Sequence, residues 1–492
     1  MDALTEGPIP TSTRNPVFSA AARAVVPLDL AALGYVEEEF FLSGRAHRYA
    51  AGLVPDGGPY PYVTRLLVRR PVESPSGVTF VSILNGSQGY DIEDDWRRAW
   101  DWFCRNGHTY VGVTIKPISV EALRTFNPYR YSRLTWQVDG EPPRPTVTAA
   151  PGWDPFQIVA GCEEGLAWDI LVDLAEAVRE PGLLPAGSRR AFLLGQSQSG
   201  TYVNTFAAHV HPERRRSDGG PLFDGYLAGV ASVLTRRLQQ GPGGVSAWQA
   251  GPVPDLDVPV VIVTAEGDLD LFSAVAAGVA QAQGVDRLPV PGTDPFAPGL
   301  GDGPKRRHYQ VAGTPHSDAR SPVIPRDDDI VRAGRLPRLR SQELVDRLNP
   351  LPLEPVITGA LAAMLRWVDD DVPAPPSLFL DRPDGLPQVD AYGNVAGGVR
   401  VGLIEHPLAT FHGASAEDPT YGGVELLGSY DVRHRYRDLA AYLAACNAVD
   451  DALELAGYLE PVGRALLHRV AEELWARIIH GAPAHWSTQQ AS

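Results

Sequence analysis

The 492-residue sequence predicts an α/β fold in which a mostly parallel central sheet is flanked by helices. Short and nearly all-apolar segments, typical of strands buried on both faces, alternate with segments of helical periodicity. One such strand is "VTFVSIL" at residues 78–84, and a helix at residues 93–106 separates it from the strand "YVGVTI" at residues 110–115. Because parallel strands need a crossover connection, this order indicates a parallel sheet.

The remaining elements repeat this alternation along the chain. A strand at residues 60–70 precedes the unit described above, and a helix at residues 162–180 has apolar side chains at helical spacing. After that helix we predict a strand at residues 190–195, a helix at 199–210, and strands at 225–233, 258–265 and 307–312.

A change of composition along the chain predicts three segments. Residues 1–75 form an N-terminal β-rich segment packed on the core, and residues 76–325 form the α/β core itself. Residues 326–492 form a mainly helical region, a candidate cap over the site, with helical patterns at residues 355–368 and 429–479.

Charge and composition limit the expected partners. With 43 Lys and Arg against 59 Asp and Glu, the net charge of −16 opposes binding to nucleic acid or to an anionic membrane surface. No apolar run is long enough to span a membrane and no export signal is recognisable, so we expect a cytoplasmic protein. The three cysteines lack metal-type spacing and no phosphate-binding loop is present, so we expect neither a metal nor a cofactor.

The segment "FLLGQSQSGTYVNTF" at residues 192–206 passes from a buried strand to a helix through small residues. In a G-x-S-x-G nucleophile elbow, the strand turns so sharply that the flanking positions must be small, and the turn lifts the serine Oγ above the sheet. Gly195 and Ser197 match this pattern, and Ser199 replaces the second glycine. Ser197 is therefore the candidate nucleophile. The alternative is a tight turn in which Ser197 only caps the helix.

A nucleophilic serine needs a base, and in this arrangement the chain order is serine, acid, histidine. His316 follows a predicted strand in "RHYQVAGTPHSDAR" and is the candidate base. Asp268, just past the strand in "VPVVIVTAEGDLDLF", is the candidate acid. Glu266 and Asp270 lie close enough along the chain to be alternatives.

Acyl transfer also requires two N–H donors for the oxyanion, one of them on the residue after the nucleophile. Gln198 provides that donor. For the second we predict the Ser87 amide, in the loop that follows the strand ending "SILNGSQGYD", with Gly86 or Gln88 as alternatives if the turn differs. A plain Asn-Gly turn is the alternative to a functional loop.

Several segments together resemble the bacterial α/β-hydrolase-domain family, from about residue 30 to about residue 470. They include "GHTYVGVTIKP", "GQSQSGTYVNTFAAHVHP", "YQVAGTPHSDA" and "GGVRVGLIEHPLATFHG". The family carries a serine in an S-Q-S context and a histidine in an A-G-T-x-H-x-D context. The resemblance implies an α/β-hydrolase fold, with Ser197 and His316 as nucleophile and base and an acid from the "AEGD" segment. This sequence departs from the family at Gly200, where an alanine is expected, and in "NGSQGYD" at the oxyanion loop.

These observations predict a serine hydrolase that cleaves a small-molecule carboxylic ester or lactone through an acyl-enzyme on Ser197. Lactone, thioester and amide cleavage use the same residues, so the prediction of which bond is cleaved rests only on how common each activity is. Because a fold does not fix a function, two alternatives stay open. One is a non-hydrolytic enzyme, such as a lyase or a cofactor-free oxygenase, and the other is a catalytically silent binding protein.

Overall fold

The computed structural model describes residues 3–140, 159–239, 249–250, 253–272, 296–297, 302–318, 321, 323–337, 341–416 and 418–482. The chain divides into two compact units, each made of several chain segments. The first unit is Met1–Ala228, Leu234–Gln249 and Val323–Arg338, and the second is Gly229–Val233, Ala250–Pro322 and Leu339–Ser492. In the described ranges, no helix combines the length and hydrophobicity that a membrane span requires.

The strands that begin in the described part of the first unit are β1 (Leu4–Glu6), β2 (Tyr35–Ala46), β3 (Tyr60–Pro71), β4 (Val78–Ile83), β5 (Thr109–Val113), β6 (Arg190–Gln196), β7 (Gly225–Gly229), β8 (Leu234–Thr235) and β9 (Gln249–Ala250). Strands β1 to β7 lie in one sheet in the order β1-β2-β3-β5-β4-β6-β7. The pairs β1-β2, β2-β3 and β3-β5 are antiparallel, whereas β4 is parallel to both β5 and β6. The N-terminal strands therefore form an antiparallel extension of a parallel centre.

The α-helices of the first unit, in the ranges that the structure describes, are α1 (Asp94–Arg105), α2 (Pro117–Phe126), α3 (Pro128–Tyr131), α4 (Ala167–Ala177), α5 (Gln198–Thr205) and α6 (Asp327–Arg332). Helix α1 connects the parallel strands β4 and β5, and all six residues of β4 are buried. A fully buried strand flanked by helices explains why its sequence is a continuous apolar run with no polar alternation.

Among the described residues of the second unit, the strands are β10 (Val260–Ala265), β11 (Arg306–Val311), β12 (Ala409–His412) and β13 (Gly423–Leu426). The helices are α7 (Gln342–Val345), α8 (Glu354–Asp370), α9 (Gly402–Glu405), α10 (Ser429–Arg435), α11 (Leu439–Ala456) and α12 (Pro461–His480). Strands β10 and β11 are parallel, and Val260 pairs with Arg306 at the start of the ladder. Their carboxyl ends therefore lie side by side.

The predicted α/β fold, with a mostly parallel sheet flanked by helices and with helices toward the C-terminus, is confirmed. One predicted strand, residues 225–233, is shorter in the structure, where β7 ends at Gly229. Val230 and Ser232 have φ angles of 45° and 48°, which a β-strand cannot contain. The division into residues 1–75, 76–325 and 326–492 stays a prediction.

Candidate active site

The turn between β6 and α5 holds Ser197 in a strained backbone conformation. Ser197 has φ 54° and ψ −123°, whereas residues other than glycine rarely adopt a positive φ. Such a conformation costs on the order of 1–3 kcal/mol and persists only where the surroundings impose it. Gly195 shows how tight the turn is, because a Cβ atom there would lie 2.6 Å from the Ser199 carbonyl oxygen.

Ser197 also occupies the N-cap position of α5, which was the alternative role for this serine. Its side chain makes no hydrogen bond that caps the helix. Its carbonyl oxygen accepts a hydrogen bond from the Thr201 amide at 3.2 Å, as the first carbonyl of a helix does. The sharp turn is thus present, and the serine side chain is not used to cap the helix.

Both candidate oxyanion donors belong to the first unit: Gln198 directly follows Ser197, and Ser87 lies in the loop after β4. Gln198, the first residue of α5, is only 3% exposed. The Ser87 amide donates a hydrogen bond to Asn85 Oδ1 at 2.9 Å, and the Gly89 amide closes the turn on the Gly86 carbonyl at 2.9 Å. Because an N–H donates one good hydrogen bond, Ser87 can serve an oxyanion only if its bond to Asn85 opens.

In the second unit, a histidine and an aspartate follow adjacent parallel strands and contact each other. His316 Nδ1 lies 2.5 Å from Asp268 Oδ1, and Asp268 is completely buried. Asp268 Oδ2 accepts a hydrogen bond from the Ala265 amide at 2.8 Å, which fixes the carboxylate at the end of β10. The Phe272 and His316 rings pack perpendicular to each other at a centroid distance of 5.9 Å. The imidazole is therefore held by a hydrogen bond to a buried carboxyl group and by contact with an aromatic ring.

The other two acids near Asp268 have different surroundings. Glu266 Oε2 accepts a hydrogen bond from the Gly313 amide at 2.7 Å, and Glu266 Oε1 accepts one from the Gly413 amide at 3.1 Å. Burial raises the pKa of Glu266 to about 7. Asp270 is exposed. Glu266 thus joins two loop segments, while Asp268 contacts the histidine.

The sequence does not indicate that α1 bonds to the residue before Ser197. Asp95, near the start of α1, accepts hydrogen bonds from Ser82 Oγ on β4 and from Gln196 Nε2 on β6, both at 2.7 Å. Burial raises the pKa of Asp95 to about 6. In the sequence, acids at the start of a helix are explained equally well by the helix dipole, so no local signal indicated these contacts.

A cluster of buried charged side chains packs behind α5. Glu164 accepts a hydrogen bond from the Tyr202 hydroxyl at 2.8 Å, and it lies 3.5 Å from Lys116 Nζ and 3.2 Å from Arg236 Nη2. Burial alone would raise the pKa of Glu164, but the two cations outweigh it and lower the pKa. Across the described ranges, His, Cys, Asp and Glu side chains form no group of three or more that could hold a metal ion.

Comparison with solved structures finds remote likenesses. A dienelactone hydrolase from Anabaena variabilis is 12% identical, with a TM-score of 0.24, over 49% of this chain and 80% of that one. A ferulic acid esterase from Streptomyces cinnamoneus is 12% identical, with a TM-score of 0.29, over 58% and 75% of the two chains. An esterase from Pyrobaculum calidifontis is 14% identical, with a TM-score of 0.27, over 52% and 76%. Likenesses at these identities and scores are too remote to indicate a substrate.

Comparison of the sequence with protein families is more informative. A search of curated proteins found no match. Residues 5–469 match the family model described as "Alpha/beta hydrolase domain". Because this match spans most of the 492 residues, the chain belongs to the α/β-hydrolase domain family.

Proposed function

We propose that this chain is a serine hydrolase whose nucleophile is Ser197 and whose substrate is a small carboxylic ester or lactone. The observation that carries the proposal is the positive φ of Ser197, strained for a residue other than glycine, at the end of a buried strand. An ordinary N-cap residue has dihedral angles in the β region and bonds to the helix through its side chain, and Ser197 does neither. Strain of this kind is typical of functional positions.

In the proposed mechanism, His316 is the general base and Asp268 orients it. A proton on His316 Nδ1 is held by the carboxylate 2.5 Å away, which leaves Nε2 to accept the proton of the Ser197 hydroxyl. As Ser197 Oγ attacks the carbonyl carbon, this proton moves to Nε2, and it then passes to the leaving alcohol as the C–O bond breaks. A water molecule, deprotonated in the same way, hydrolyses the acyl-enzyme and releases the acid.

Charge develops on the substrate carbonyl oxygen during both steps. We propose that the Gln198 amide donates one hydrogen bond to this oxyanion. The second donor comes from the loop of Gly86, Ser87 and Gln88. Since the Ser87 amide already donates to Asn85, Gly86 and Gln88 are the stronger candidates.

Fluorophosphonate labelling tests the proposal without knowledge of the natural substrate. Intact-mass and peptide-mapping measurements are expected to find one adduct, on the peptide that contains Ser197. Ser197→Ala abolishes the adduct, and His316→Ala slows its formation by several orders of magnitude, because triad residues act as a unit. Asp101→Ala, at a half-buried position of α1 where Asp101 pairs with Arg105, serves as a control and labels at the wild-type rate. Labelling that persists in Ser197→Ala contradicts the proposal.

A second experiment distinguishes hydrolysis from the alternative reactions. A panel of esters and lactones is incubated with the enzyme in ¹⁸O-labelled water, and the acid product is analysed by mass spectrometry. Hydrolysis places one solvent oxygen in the acid, whereas a lyase or an oxygenase does not. A well-folded protein that neither labels nor turns over any ester supports a binding protein instead.

A further inference from the structure

Two consecutive carboxylates at the start of α1 accept hydrogen bonds from side chains of the residue before Ser197 and of the loop after β4. Asp95 is 1% exposed and accepts hydrogen bonds from Ser82 Oγ and Gln196 Nε2, both at 2.7 Å. Ser82 lies on β4 and Gln196 is the last residue of β6, which pairs with β4 in parallel. One carboxylate therefore joins the ends of two adjacent strands, immediately before Ser197.

Asp94 holds the loop after β4. Its Oδ2 accepts a hydrogen bond from Asn85 Nδ2 at 2.9 Å, and its Oδ1 accepts one from Arg97 Nη2 at 2.6 Å. Asn85 in turn accepts from the Ser87 amide and exchanges two backbone hydrogen bonds of 2.9 Å with Ile92. Asp94 thus fixes the first residue of the loop that contains the candidate second oxyanion donor.

General helix stability does not account for this arrangement. Acids in the first turn of a helix are stabilised by the helix dipole, and they gain this stabilisation while exposed to solvent. Burial of a carboxylate is unfavourable, as the raised pKa of Asp95 indicates. Both side chains are buried all the same, and each has a specific partner next to the strained turn or in the loop after β4.

We propose that Asp95 and Asp94 are positioning residues for the reaction at Ser197: Asp95 holds the strained turn and Asp94 holds the oxyanion loop. This inference rests on the proposed role of Ser197 as nucleophile. Neither carboxylate needs to touch the substrate. Each acts through a neighbour, Gln196 in one case and Asn85 in the other.

The test for Asp95 compares a variant that removes its hydrogen bonds with one that can keep them. Asp95→Ala is expected to lower the rate constant of fluorophosphonate labelling at Ser197 by about 10- to 100-fold, the size of effect that small misplacements produce. Asp95→Asn is expected to stay within about threefold of wild type, because its Oδ1 can accept from Gln196 while its Nδ2 donates to Ser82 Oγ. A loss of charge alone would affect both variants equally.

The matched control for lost stability is Ser188→Ala. The Ser188 hydroxyl bonds to Thr79 Oγ1 at 2.6 Å, at the opposite end of β4. All variants are compared at temperatures where circular dichroism shows them fully folded, and Ser188→Ala is expected to label within about twofold of wild type. If Asp95→Ala does not fold, Gln196→Leu removes the same link from the other side and is expected to cause the same loss.

The test for Asp94 uses steady-state kinetics with an ester that the wild type hydrolyses. Asp94→Ala is expected to lower kcat by about 10- to 100-fold and to change KM by less than twofold, since the oxyanion forms after substrate binding. Asp101→Ala, on the same helix, is the control, and both of its parameters are expected to stay at wild-type values.

The outcomes separate this inference from the proposed function. Wild-type protein that is not labelled at Ser197 overturns both. If wild-type protein is labelled at Ser197, but the rate constant for Asp95→Ala or Gln196→Leu lies within threefold of that for Ser188→Ala, only the role of Asp95 is overturned. A rise in KM without a fall in kcat for Asp94→Ala overturns the role of Asp94. The inference is supported if Asp95→Asn is labelled within about threefold of the wild-type rate while Asp95→Ala is slowed, and if Asp94→Ala lowers kcat.

Discussion

Two acids only two residues apart have different tasks in the second unit. Asp268 contacts the His316 ring nitrogen, whereas Glu266 accepts hydrogen bonds from the backbone amides of Gly313 and Gly413. Gly313 lies in the loop that carries His316, so the hydrogen bond from its amide to Glu266 holds that loop. The two carboxylates are therefore expected to give different results when each is replaced by its amide.

Asp268→Asn is expected to lower kcat by about 10⁴-fold, because an amide favours the wrong tautomer of the histidine. In Glu266→Gln the side chain keeps one acceptor oxygen for the backbone amides, and the hydrogen bond between Asp268 and the His316 ring is unchanged. We therefore expect kcat within about tenfold of wild type. Ester hydrolysis at saturating substrate measures both. Near-wild-type activity in Asp268→Asn would show that a different residue orients the histidine.

The stability of the protein is expected to depend on pH through Glu266. Its pKa is about 7 when folded against an ordinary value of 4.5, because burial and Asp270 outweigh the backbone amides and Arg400. A carboxyl group with a raised folded pKa contributes fully below pH 4.5, and that contribution is lost as the pH rises to about 7. Between pH 5 and 8, the free energy of unfolding of wild type should fall relative to Glu266→Gln, by at most about 3 kcal/mol. Urea unfolding of both proteins at each pH measures this difference, and parallel curves would contradict it.

At the scale of elements, the strand-to-helix turn depends on one glycine more than on the other small residues around it. A Cβ atom at Gly195 would lie 2.6 Å from the Ser199 oxygen and 2.7 Å from its carbonyl carbon. Backbone atoms cannot move aside as the tip of a flexible side chain can. Position 199, by contrast, already carries a side chain, so the second glycine of the elbow pattern is dispensable here.

Gly195→Ala is therefore expected to lower the free energy of unfolding by about 1–3 kcal/mol, as overpacking does, and to slow labelling of Ser197 at least tenfold. Ser199→Gly restores the full G-x-S-x-G pattern and is the matched control. It is expected to cost about 0.5–1 kcal/mol as a helical glycine and to label at nearly the wild-type rate. Urea unfolding and fluorophosphonate labelling check both variants. Equal behaviour of the two would argue against a tight turn.

In strand β3, the sequence pattern predicts the strand itself, but it does not predict which residues pack against the strand. "YPYVTRLLVRR" predicts a strand, and the structure has one at Tyr60–Pro71. Arg65 on this strand is completely buried and pairs with Glu39 Oε1 at 2.5 Å and Asp91 Oδ2 at 3.0 Å. Arginine is normally exposed, and its burial here is tolerable because Glu39, Asp91 and the Phe18 carbonyl oxygen, all more than 20 residues away in the chain, accept its hydrogen bonds.

At the scale of the whole molecule, the compact units do not coincide with continuous stretches of chain. The first unit needs residues from Leu234–Gln249 and Val323–Arg338 as well as Met1–Ala228. Arg236 pairs with Glu164, and the Trp168 indole donates to the Leu238 carbonyl at 2.7 Å. These contacts are buried, so their loss leaves polar groups without partners in the core.

A fragment that ends at Ala228 is therefore expected to be less stable than the full chain, by about 2–6 kcal/mol from these two contacts. Glu164 would lose one of its two cations and Trp168 would lose its acceptor, each at a cost of about 1–3 kcal/mol, against a typical total stability of 5–15 kcal/mol. Far-UV circular dichroism and urea titration of residues 1–228, compared with the full chain, measure this. A transition in the fragment at the same urea concentration as in the full chain would show that the first unit does not depend on the later segments.

The sequence by itself determined the fold class and the position of the strained turn. Alternation of apolar strands with helical periodicity predicts a parallel sheet, and small residues between a strand and a helix indicate a sharp turn at Ser197. Both signals are local, because the side chains that produce them are neighbours in the chain.

Only the tertiary structure decided which side chains meet. Asp268 and His316 are 48 residues apart; spacing from the strand end favours Asp268 over Glu266 and Asp270, but only the structure places the Asp268 carboxylate against the His316 ring. Asp95 and Gln196 are 101 residues apart, and their contact depends on how α1 packs beneath the strand ends. Partners at such separations are selected by the packing of whole elements, which no local pattern of residues records.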